Sequence, residues 1–263
     1  MNHITESFAR LQQCQRKGFI PFITAGDPDL STTKQMIIEL ANAGATIIEL
    51  GVPFSDPMAD GPVIQRASDR ALQHRFGLKE ILDLVAETRK QIDTPIILFS
   101  YYNPILQFGV ERLARAAVAA GVAGVLITDL APEEAGRVAS TLRANGLDLI
   151  FLVAPTTTDA RLQMIAERAS GFIYAVSRAG VTGKRDTVSA EAEKLVKRLR
   201  HFSDLPVAVG FGISSAEQVA QVWRYADAAV VGSAIVAEIE RLQGVPDVAN
   251  RIGQFARSLL PAG

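Results

Sequence analysis

Eight short apolar segments recur along the chain, and they constrain its fold more than any other feature of the sequence. They span residues 19–24, 45–50, 95–100, 123–128, 148–153, 171–176, 206–209 and 227–231. They are nearly continuous in Val, Ile, Leu and Ala, which is the pattern of strands buried on both faces, as in parallel sheets. Between them, apolar residues recur at helical spacing, as at Met36, Ile37 and Leu40. The sequence therefore predicts that strands and helices alternate along the chain.

Residues that begin and end helices support this alternation. Thr32 with Gln35, and Ser214 with Glu217, have the spacing of a capping box at predicted helix starts. Four glycines stand where a helical stretch must end before the next strand: Gly44, Gly121, Gly146 and Gly171.

The number of strand and helix units points to one fold. Eight such units in 263 residues match a TIM (β/α)8 barrel of roughly 250 residues. No Pro/Ser-rich linker divides the chain, so we expect one domain over residues 1–263, with an additional helix at the N-terminus. An open doubly wound sheet is the alternative, but the Rossmann glycine fingerprint is missing after the first strand.

Charge and cysteine content exclude several classes of function. There are 27 Lys and Arg against 28 Asp and Glu, with no block of five like charges, so nothing favours binding to nucleic acid or to an anionic membrane. The single cysteine, Cys14, excludes an intrachain disulfide and a thiolate metal cluster. The first 18 residues resemble neither a secretory signal nor a transit peptide, and no apolar run approaches the ~20 residues that span a bilayer. We therefore expect a cytoplasmic protein.

Glu49 is the first candidate for catalysis. It lies in an apolar segment, two residues after Ile47, and so on the same face of a strand. If that face lines the barrel, Glu49 points towards the mouth. Removal from water raises the pKa of a carboxyl group and suits it to act as a general acid near neutral pH. A glutamate that forms an ion pair at a strand end is an equally good interpretation of this residue alone.

The next loop, residues 51–62, carries two more carboxyl groups. Asp56 lies among turn-forming residues and is expected to cap a turn. Asp60 precedes Gly61 and Pro62 at a predicted helix start, where it could be an N-cap. A second carboxylate close to Glu49 would instead complete the acid/base pair that lytic or isomerase chemistry needs.

Other catalytic groups are poorly placed. The histidines, His3, His74 and His201, fall outside the predicted strand ends, and no lysine lies at a strand's C-terminus. We therefore expect no zinc-type metal site, no Cys/His nucleophile and no Schiff-base lysine.

Glycine-bearing loops follow the last three strands, at residues 177–186, 210–214 and 232–235. Glycine lets backbone N–H groups approach a phosphate, and a helix that opens at Gly232 and Ser233 adds partial positive charge. The polar loop 177–189 is either a closing lid or a mobile surface loop. Apolar side chains near strand ends (Phe22, Tyr101, Leu126 and Phe211) favour a partly apolar ligand, although such residues are more often core. The residues alone thus predict a metal-independent carboxylate enzyme acting on a phosphorylated, partly apolar small molecule.

Several longer motifs resemble one enzyme family. Ile-Glu-Leu-Gly-Val-Pro-Phe-Ser-Asp-Pro-Met-Ala-Asp-Gly-Pro at 48–62 is similar to the signature of tryptophan synthase alpha subunits. Further segments with the same resemblance follow in family order: Phe-Ile-Thr-Ala-Gly-Asp-Pro (22–28), Tyr-Tyr-Asn-Pro (101–104), Ser-Arg-Ala-Gly-Val-Thr-Gly (177–183), Gly-Phe-Gly-Ile-Ser (210–214) and Gly-Ser-Ala-Ile-Val (232–236).

The resemblance implies a retro-aldol cleavage of indole-3-glycerol phosphate to indole and glyceraldehyde 3-phosphate. By position, Glu49 would protonate indole C3 and accept the glycerol hydroxyl proton, and Asp60 would stabilise charge at the indole N–H. Tyr174 would be an active-site tyrosine, and Thr182 the lid threonine that pairs with Asp60. The implied phosphate cradle is Gly183, Gly212, Gly232 and Ser233, and the implied indole pocket is Phe22, Tyr101, Leu126, Thr128 and Phe211.

The resemblance also implies a partner, the pyridoxal-phosphate-dependent beta subunit, in an αββα heterotetramer, with no cofactor in this chain. The implied partner-facing residues are Asp56, Pro57, Asn103 and Pro104. Ala131 departs from the commoner Pro-Pro pair near a partner-facing loop. Two alternatives remain: a lyase that works alone and releases indole, and a non-catalytic phosphate-binding barrel that acts as a scaffold.

Overall fold

The computed structural model describes residues 3–176, 190–210 and 212–261. Their strands form a closed barrel in which every neighbouring pair is parallel and sequence order is kept around the ring, as the apolar segments predict. The strands are β1 Gly18–Thr24, β2 Ile48–Gly51, β3 Ile96–Ser100, β4 Val122–Ile127, β5 Asp148–Val153, β6 Ile173–Val176, β7 Val207–Gly210 and β8 Ala228–Val231.

Helices follow the strands and cover the outside of the barrel. Within the described ranges they are α1 His3–Gln13, α2 Leu30–Asn42, α3 Pro62–Leu72, α4 Leu78–Arg89, α5 Tyr102–Phe108, α6 Val110–Ala120, α7 Gly136–Ala144, α8 Asp159–Arg168, α9 Ala190–Leu199, α10 Ala216–Trp223, α11 Ser233–Arg241 and α12 Val248–Ser258. None of these helices has the length and apolarity needed to cross a membrane. The TIM barrel predicted from the sequence is confirmed.

Two apolar layers hold the barrel together. The inner layer fills its interior with alternate strand residues, among them Ile20, Ile47, Ile97 and Leu126. The outer layer packs the other strand faces against the helices. α1 is the additional N-terminal helix, and its Ile4 and Phe8 join the inner layer. The ring centroids of Phe8 and Phe172 lie 5.9 Å apart. Because Phe172 directly precedes β6, α1 closes the end of the barrel where the strands begin. The other end, where the strands finish, is the mouth.

The predicted helix ends are correct, but the predicted helix starts need correction. All four glycines have positive φ: Gly44, Gly121 and Gly146 lie at or directly after a helix C-cap, whereas Gly171 lies two residues beyond Ala169, the C-cap of α8. Thr32 does not begin α2; the N-cap is Asp29, whose Oδ1 accepts from the Thr32 N–H at 2.8 Å. Ser214 is likewise one residue too early, because Ser215 caps α10 and accepts from the N–H of Gln218. In both cases the N-cap is a neighbouring polar residue, Asp29 or Ser215, whose side chain caps a helix equally well.

Candidate active site

Glu49 lies on β2 with its side chain on the inner face of the barrel. It stands opposite Phe22 of β1 and Ile97 of β3, and it is only 1% exposed. Its Oε1 has no hydrogen-bond partner among the described residues, and none of them forms an ion pair with it. Burial therefore holds the pKa of Glu49 well above its ordinary value. Within the described residues the structure gives no support to the ion-pair interpretation, and burial favours the protonated form.

Tyr174 on β6 brings a hydroxyl group close to Glu49. The side chain is buried, and burial together with the Glu49 charge raises the pKa of Tyr174 well above its ordinary value. Gly210, at the end of β7, leaves room for this hydroxyl, since a Cβ atom there would collide with it. Leu126 on β4 belongs to the same interior cluster as Tyr174. The structure thus places Tyr174 near Glu49, and Leu126 in the barrel interior together with Tyr174.

Asp60 lies at the end of the loop between β2 and α3, and Tyr101 fixes its position. The Tyr101 hydroxyl donates to Oδ2 of Asp60 at 3.1 Å and accepts from the Ala59 N–H at 2.9 Å. Burial raises the pKa of Asp60 to about 6, against the lowering effect of this hydrogen bond. The N-cap alternative for Asp60 is wrong, because Gly61 is the N-cap of α3 and no side chain caps that helix.

Tyr101 therefore does more than line an apolar pocket, which is the role the sequence gives it. Burial and the nearby Asp60 charge keep its phenol neutral by raising its pKa. Thr128, also predicted for the pocket, opposes that rise, while its N–H donates to the Ser100 carbonyl at 2.9 Å. The Phe54 ring packs against Tyr101 at 5.3 Å.

Phe22 anchors a buried apolar cluster beside Glu49. Its ring meets Phe99 edge to face at 5.2 Å, and Ala67 and Val236 complete the buried cluster, with Val63 and Ile64 packed against it. A Cβ at Gly51 would lie 2.6 Å from the Phe22 ring, so glycine is needed there for the ring to fit. Phe99 and the α3 residues Val63 and Ile64 were not among the predicted pocket residues. The alternation of β3, which makes Phe99 share the face of Ile97, could have identified the first.

The phosphate-binding prediction concerns the start of α11. Gly232 is its N-cap, Ser233 is its first residue, and no side chain caps this end. The first N–H groups of a helix have no acceptor within it, so they are available to an anion. Gly232 also lies against Phe22, since a Cβ there would approach the Phe22 side chain to 3.5 Å. Gly212, with φ +76°, leaves open space around its Cα. Thr182, Gly183, Phe211 and the proposed lid lie outside the described residues.

The predicted partner-facing residues lie on two neighbouring exposed segments. Asp56 is exposed, and its Oδ2 accepts from the Ser55 hydroxyl at 2.6 Å rather than from the backbone of a turn. Pro57 follows it, and Asn103 and Pro104 lie on α5. Pro104 also lines a cavity of about 350 Å³ with Pro53, Phe108 and Arg112. This cavity is beside the loop and contains neither Glu49 nor Asp60.

Within residues 3–176, 190–210 and 212–261, no group of three or more His, Cys, Asp or Glu side chains could hold a metal ion, either at the mouth or elsewhere. What the mouth does contain is two carboxyl groups in different surroundings. Glu49 is fully buried, with no hydrogen-bond partner for its Oε1 among the described residues, and Asp60 is half-buried and hydrogen bonded to Tyr101. That arrangement separates a proton donor from a charge stabiliser.

Comparisons with known proteins show the family of the chain. The family model for the tryptophan synthase alpha chain matches residues 8–259. A tryptophan synthase alpha chain from Geobacter sp. (strain M21) is 47% identical over 259 residues, which cover 98% of this chain and 97% of the relative. The crystal structure of tryptophan synthase subunit alpha from Legionella pneumophila has a TM-score of 0.91 at 39% identity, covering 98% of this chain and 97% of that one. A chain of the tryptophan synthase complex from Pyrococcus furiosus has a TM-score of 0.83 at 37% identity, covering 92% and 97%. The chain belongs to the tryptophan synthase alpha chain family.

Proposed function

We propose that Glu49 and Asp60 carry out the reaction of this family in this chain. A tryptophan synthase alpha chain cleaves indole-3-glycerol phosphate to indole and glyceraldehyde 3-phosphate in tryptophan biosynthesis. One observation carries the assignment to these residues. At the mouth of the barrel, burial raises the pKa of both carboxyl groups, and among the described residues a hydrogen-bond donor, Tyr101, is aimed at Asp60 but none at Oε1 of Glu49.

Glu49 supplies the proton that starts the cleavage. Proton transfer to indole C3 interrupts the aromatic ring and makes the glycerol substituent at C3 a leaving group. The substituent's adjacent hydroxyl then returns a proton to Glu49 as its oxygen forms the aldehyde. The C3–carbon bond breaks and its electron pair restores the indole ring, so protons and electrons balance. A carboxyl group that burial keeps protonated is suited to the first step.

Asp60 stabilises the charge that appears during this transfer. Protonation at C3 leaves positive charge at the indole nitrogen, and an ionised Asp60 that accepts from the indole N–H lowers the energy of that state. With a pKa of about 6, Asp60 is mostly ionised at pH 7. Tyr101 holds the carboxylate from the other side, so it need not reorganise during the reaction.

The substrate's phosphate binds at the glycine-bearing loops. Gly232 and Ser233 offer N–H groups at the start of α11, and Gly212 leaves its backbone accessible. Gly183 joins them by its position in the family motif. The indole lies against Phe22, with Leu126, Thr128 and Tyr174 around it, and Phe211 is assigned to this pocket by its position in the family motif alone. Phosphate binding, distant from the broken bond, helps to orient the reacting end.

This chain forms a complex with the tryptophan synthase beta subunit and needs no cofactor of its own, since pyridoxal phosphate belongs to the beta subunit. The partner-facing surface is Asp56, Pro57, Asn103 and Pro104, in an αββα arrangement. Apolar exposure supports this position. Of the large apolar side chains strongly exposed in the described ranges, Met58 at 82% and Leu106 at 53% lie on these same two segments. The single cysteine is consistent with work in the reducing cytoplasm.

Indole release from indole-3-glycerol phosphate tests the proposal. We expect wild-type chain to form indole, and Glu49→Gln to lose about 10²- to 10⁴-fold in rate while its circular dichroism stays native. Glu167→Gln is the matched control, because Glu167 is exposed at the end of α8, far from the mouth, and should leave the rate unchanged. Near-normal turnover by Glu49→Gln would remove Glu49 from the acid role. Adding the beta subunit should raise the rate of indole formation. An unchanged rate would favour a lyase that works alone. Saturable substrate binding without product would favour a non-catalytic scaffold.

A further inference from the structure

An ion-pair network joins the turn after β1 to two helices. Arg70 on α3 binds Asp27 through two parallel hydrogen bonds, Nε to Oδ1 and Nη2 to Oδ2, each 2.8 Å long. Its third nitrogen, Nη1, donates to Oε1 of Glu240 on α11, also at 2.8 Å. Arg66, one turn earlier on α3, binds the same Glu240 carboxylate. One guanidinium group thus connects three elements.

The two arginines differ in their surroundings. The Asp27 side chain is completely buried, and Arg70 is 20% exposed, whereas Arg66 is 51% exposed and does not reach Asp27. A buried carboxylate with two charge-assisted hydrogen bonds has a strongly preferred geometry, while an exposed pair exchanges readily with water. Arg70 is therefore the rigid connection, and Arg66 a peripheral one.

The connected helices are those that begin at the reaction site. α3 starts two residues after Asp60, and α11 starts at Ser233, next to Gly232. Between the helices, Ala67 of α3 and Val236 of α11 pack on Phe22. The distance from the loop that carries Asp60 to the phosphate-binding end therefore depends on how α3 packs against α11.

We infer that Arg70 is a positioning residue, which holds α3 against α11 and the β1 turn so that Asp60 faces a substrate anchored by its phosphate. The inference rests on the proposed function. Arg70 touches no reacting atom. Its guanidinium acts by fixing α3 at its third turn, so that the loop before the first turn, including Asp60, has one position relative to α11.

Lysine cannot replace arginine in this role. An ammonium group keeps the charge, but it cannot form two parallel hydrogen bonds with Asp27 and a third with Glu240 in the same plane. α3 would then be free to shift, and a displacement near 1 Å at a reacting group lowers rates by about a hundredfold. The phosphate end would remain, because Gly232 continues directly from β8.

The test compares Arg70→Lys with Arg66→Lys, both measured in complex with the beta subunit. Steady-state indole formation gives kcat, and titration with glycerol 3-phosphate gives the affinity of the phosphate end. We expect Arg70→Lys to lower kcat by about tenfold to a hundredfold and to bind glycerol 3-phosphate within about twofold of wild type. Arg66→Lys should match wild type in both measurements. A purely structural role would lower the melting temperature of Arg70→Lys and leave kcat unchanged, and that result would overturn the inference.

A second variant keeps the test decisive if Arg70→Lys does not fold. Glu240→Gln leaves the buried Asp27–Arg70 pair intact and weakens only the connection to α11. We expect a smaller loss of kcat, about fivefold, with unchanged affinity for glycerol 3-phosphate. Wild-type kcat in Glu240→Gln, or a parallel loss of kcat and affinity, would contradict the inference. Failure of the proposed function can be told apart from failure of this inference. It would appear without any change at Arg70, as absent indole formation by the wild-type chain or as near-normal turnover by Glu49→Gln.

Discussion

Replacing Tyr101 with phenylalanine should move the pH dependence of the cleavage reaction. The substitution deletes the hydroxyl that donates to Asp60 Oδ2 and keeps the ring that packs on Phe54. The hydrogen bond from Tyr101 lowers the pKa of Asp60, which burial has raised to about 6. Without that bond, the pKa of Asp60 rises further. Since Asp60 acts as a carboxylate, activity is lost as pH falls through its pKa, so the acid limb of the profile moves to higher pH.

The size of the shift follows from the strength of the bond. A hydrogen bond to a charged group contributes about 1.5–3 kcal/mol, and a change of one pKa unit corresponds to about 1.4 kcal/mol. Asp60 is only half-buried, so water replaces part of the lost donor, and we take the lower end, about one pH unit. At pH 6 the ionised fraction of Asp60 then falls from about one half to about one tenth, a fivefold loss of rate beyond any loss of position.

The assay is kcat for indole formation between pH 5 and 9, in complex with the beta subunit. Tyr225→Phe is the matched control: its hydroxyl is also buried, but it has no hydrogen-bond partner among the described residues and lies between α10 and β8. We expect the control to keep the wild-type profile. An acid limb in Tyr101→Phe that stays in place or moves to lower pH would refute the assigned contact.

Two further substitutions test the surroundings of the carboxyl groups. The folded-state pKa of Asp60, about 6, exceeds its ordinary value of 3.8, so its contribution to stability is present below pH 4 and is lost as pH rises through 6. Asp60→Asn should therefore be more stable than wild type at pH 7.5, by up to about 3 kcal/mol, and equal to it at pH 4 in urea unfolding; lower stability at pH 7.5 would contradict the burial argument. Gly51→Ala places a Cβ 2.6 Å from the Phe22 ring and should cost about 1–3 kcal/mol and raise KM. Gly136→Ala, where a Cβ meets nothing within 4 Å, should do neither, and equal effects at both positions would exclude a specific contact.

The barrel could be predicted from the sequence because its strands are buried on both faces. Continuous apolar segments separated by stretches of helical periodicity are compatible with few folds. Because side chains alternate along a strand, Glu49 points into the barrel, as Ile47 does two residues earlier. Boundaries were less predictable. Asp29 and Ser215 cap helices in place of Thr32 and Ser214, because neighbouring polar residues offer similar capping chemistry and tertiary packing selects among them.

Contacts between distant segments could not be predicted in the same way. The hydroxyl of Tyr101 reaches Asp60 across 41 positions of sequence, and Arg70 reaches Glu240 across 170. From the sequence, Tyr101 is predicted only to line an apolar pocket, and no role is predicted for Arg70. Only the closed barrel, which brings the loop after β2 beside the end of β3, and α3 beside α11, creates these pairs.

The protonation state of Glu49 tests the central claim most directly. Carbon-13 NMR of the side-chain carboxyl groups, with the Glu49 signal assigned by its loss in Glu49→Gln, reports the titration of this one residue in the complex. The burial of Glu49 predicts that its carboxyl group is still protonated well above the ordinary glutamate value of 4.5. A Glu49 signal that titrates near 4.5 would contradict the claim that this barrel holds a protonated acid at its mouth.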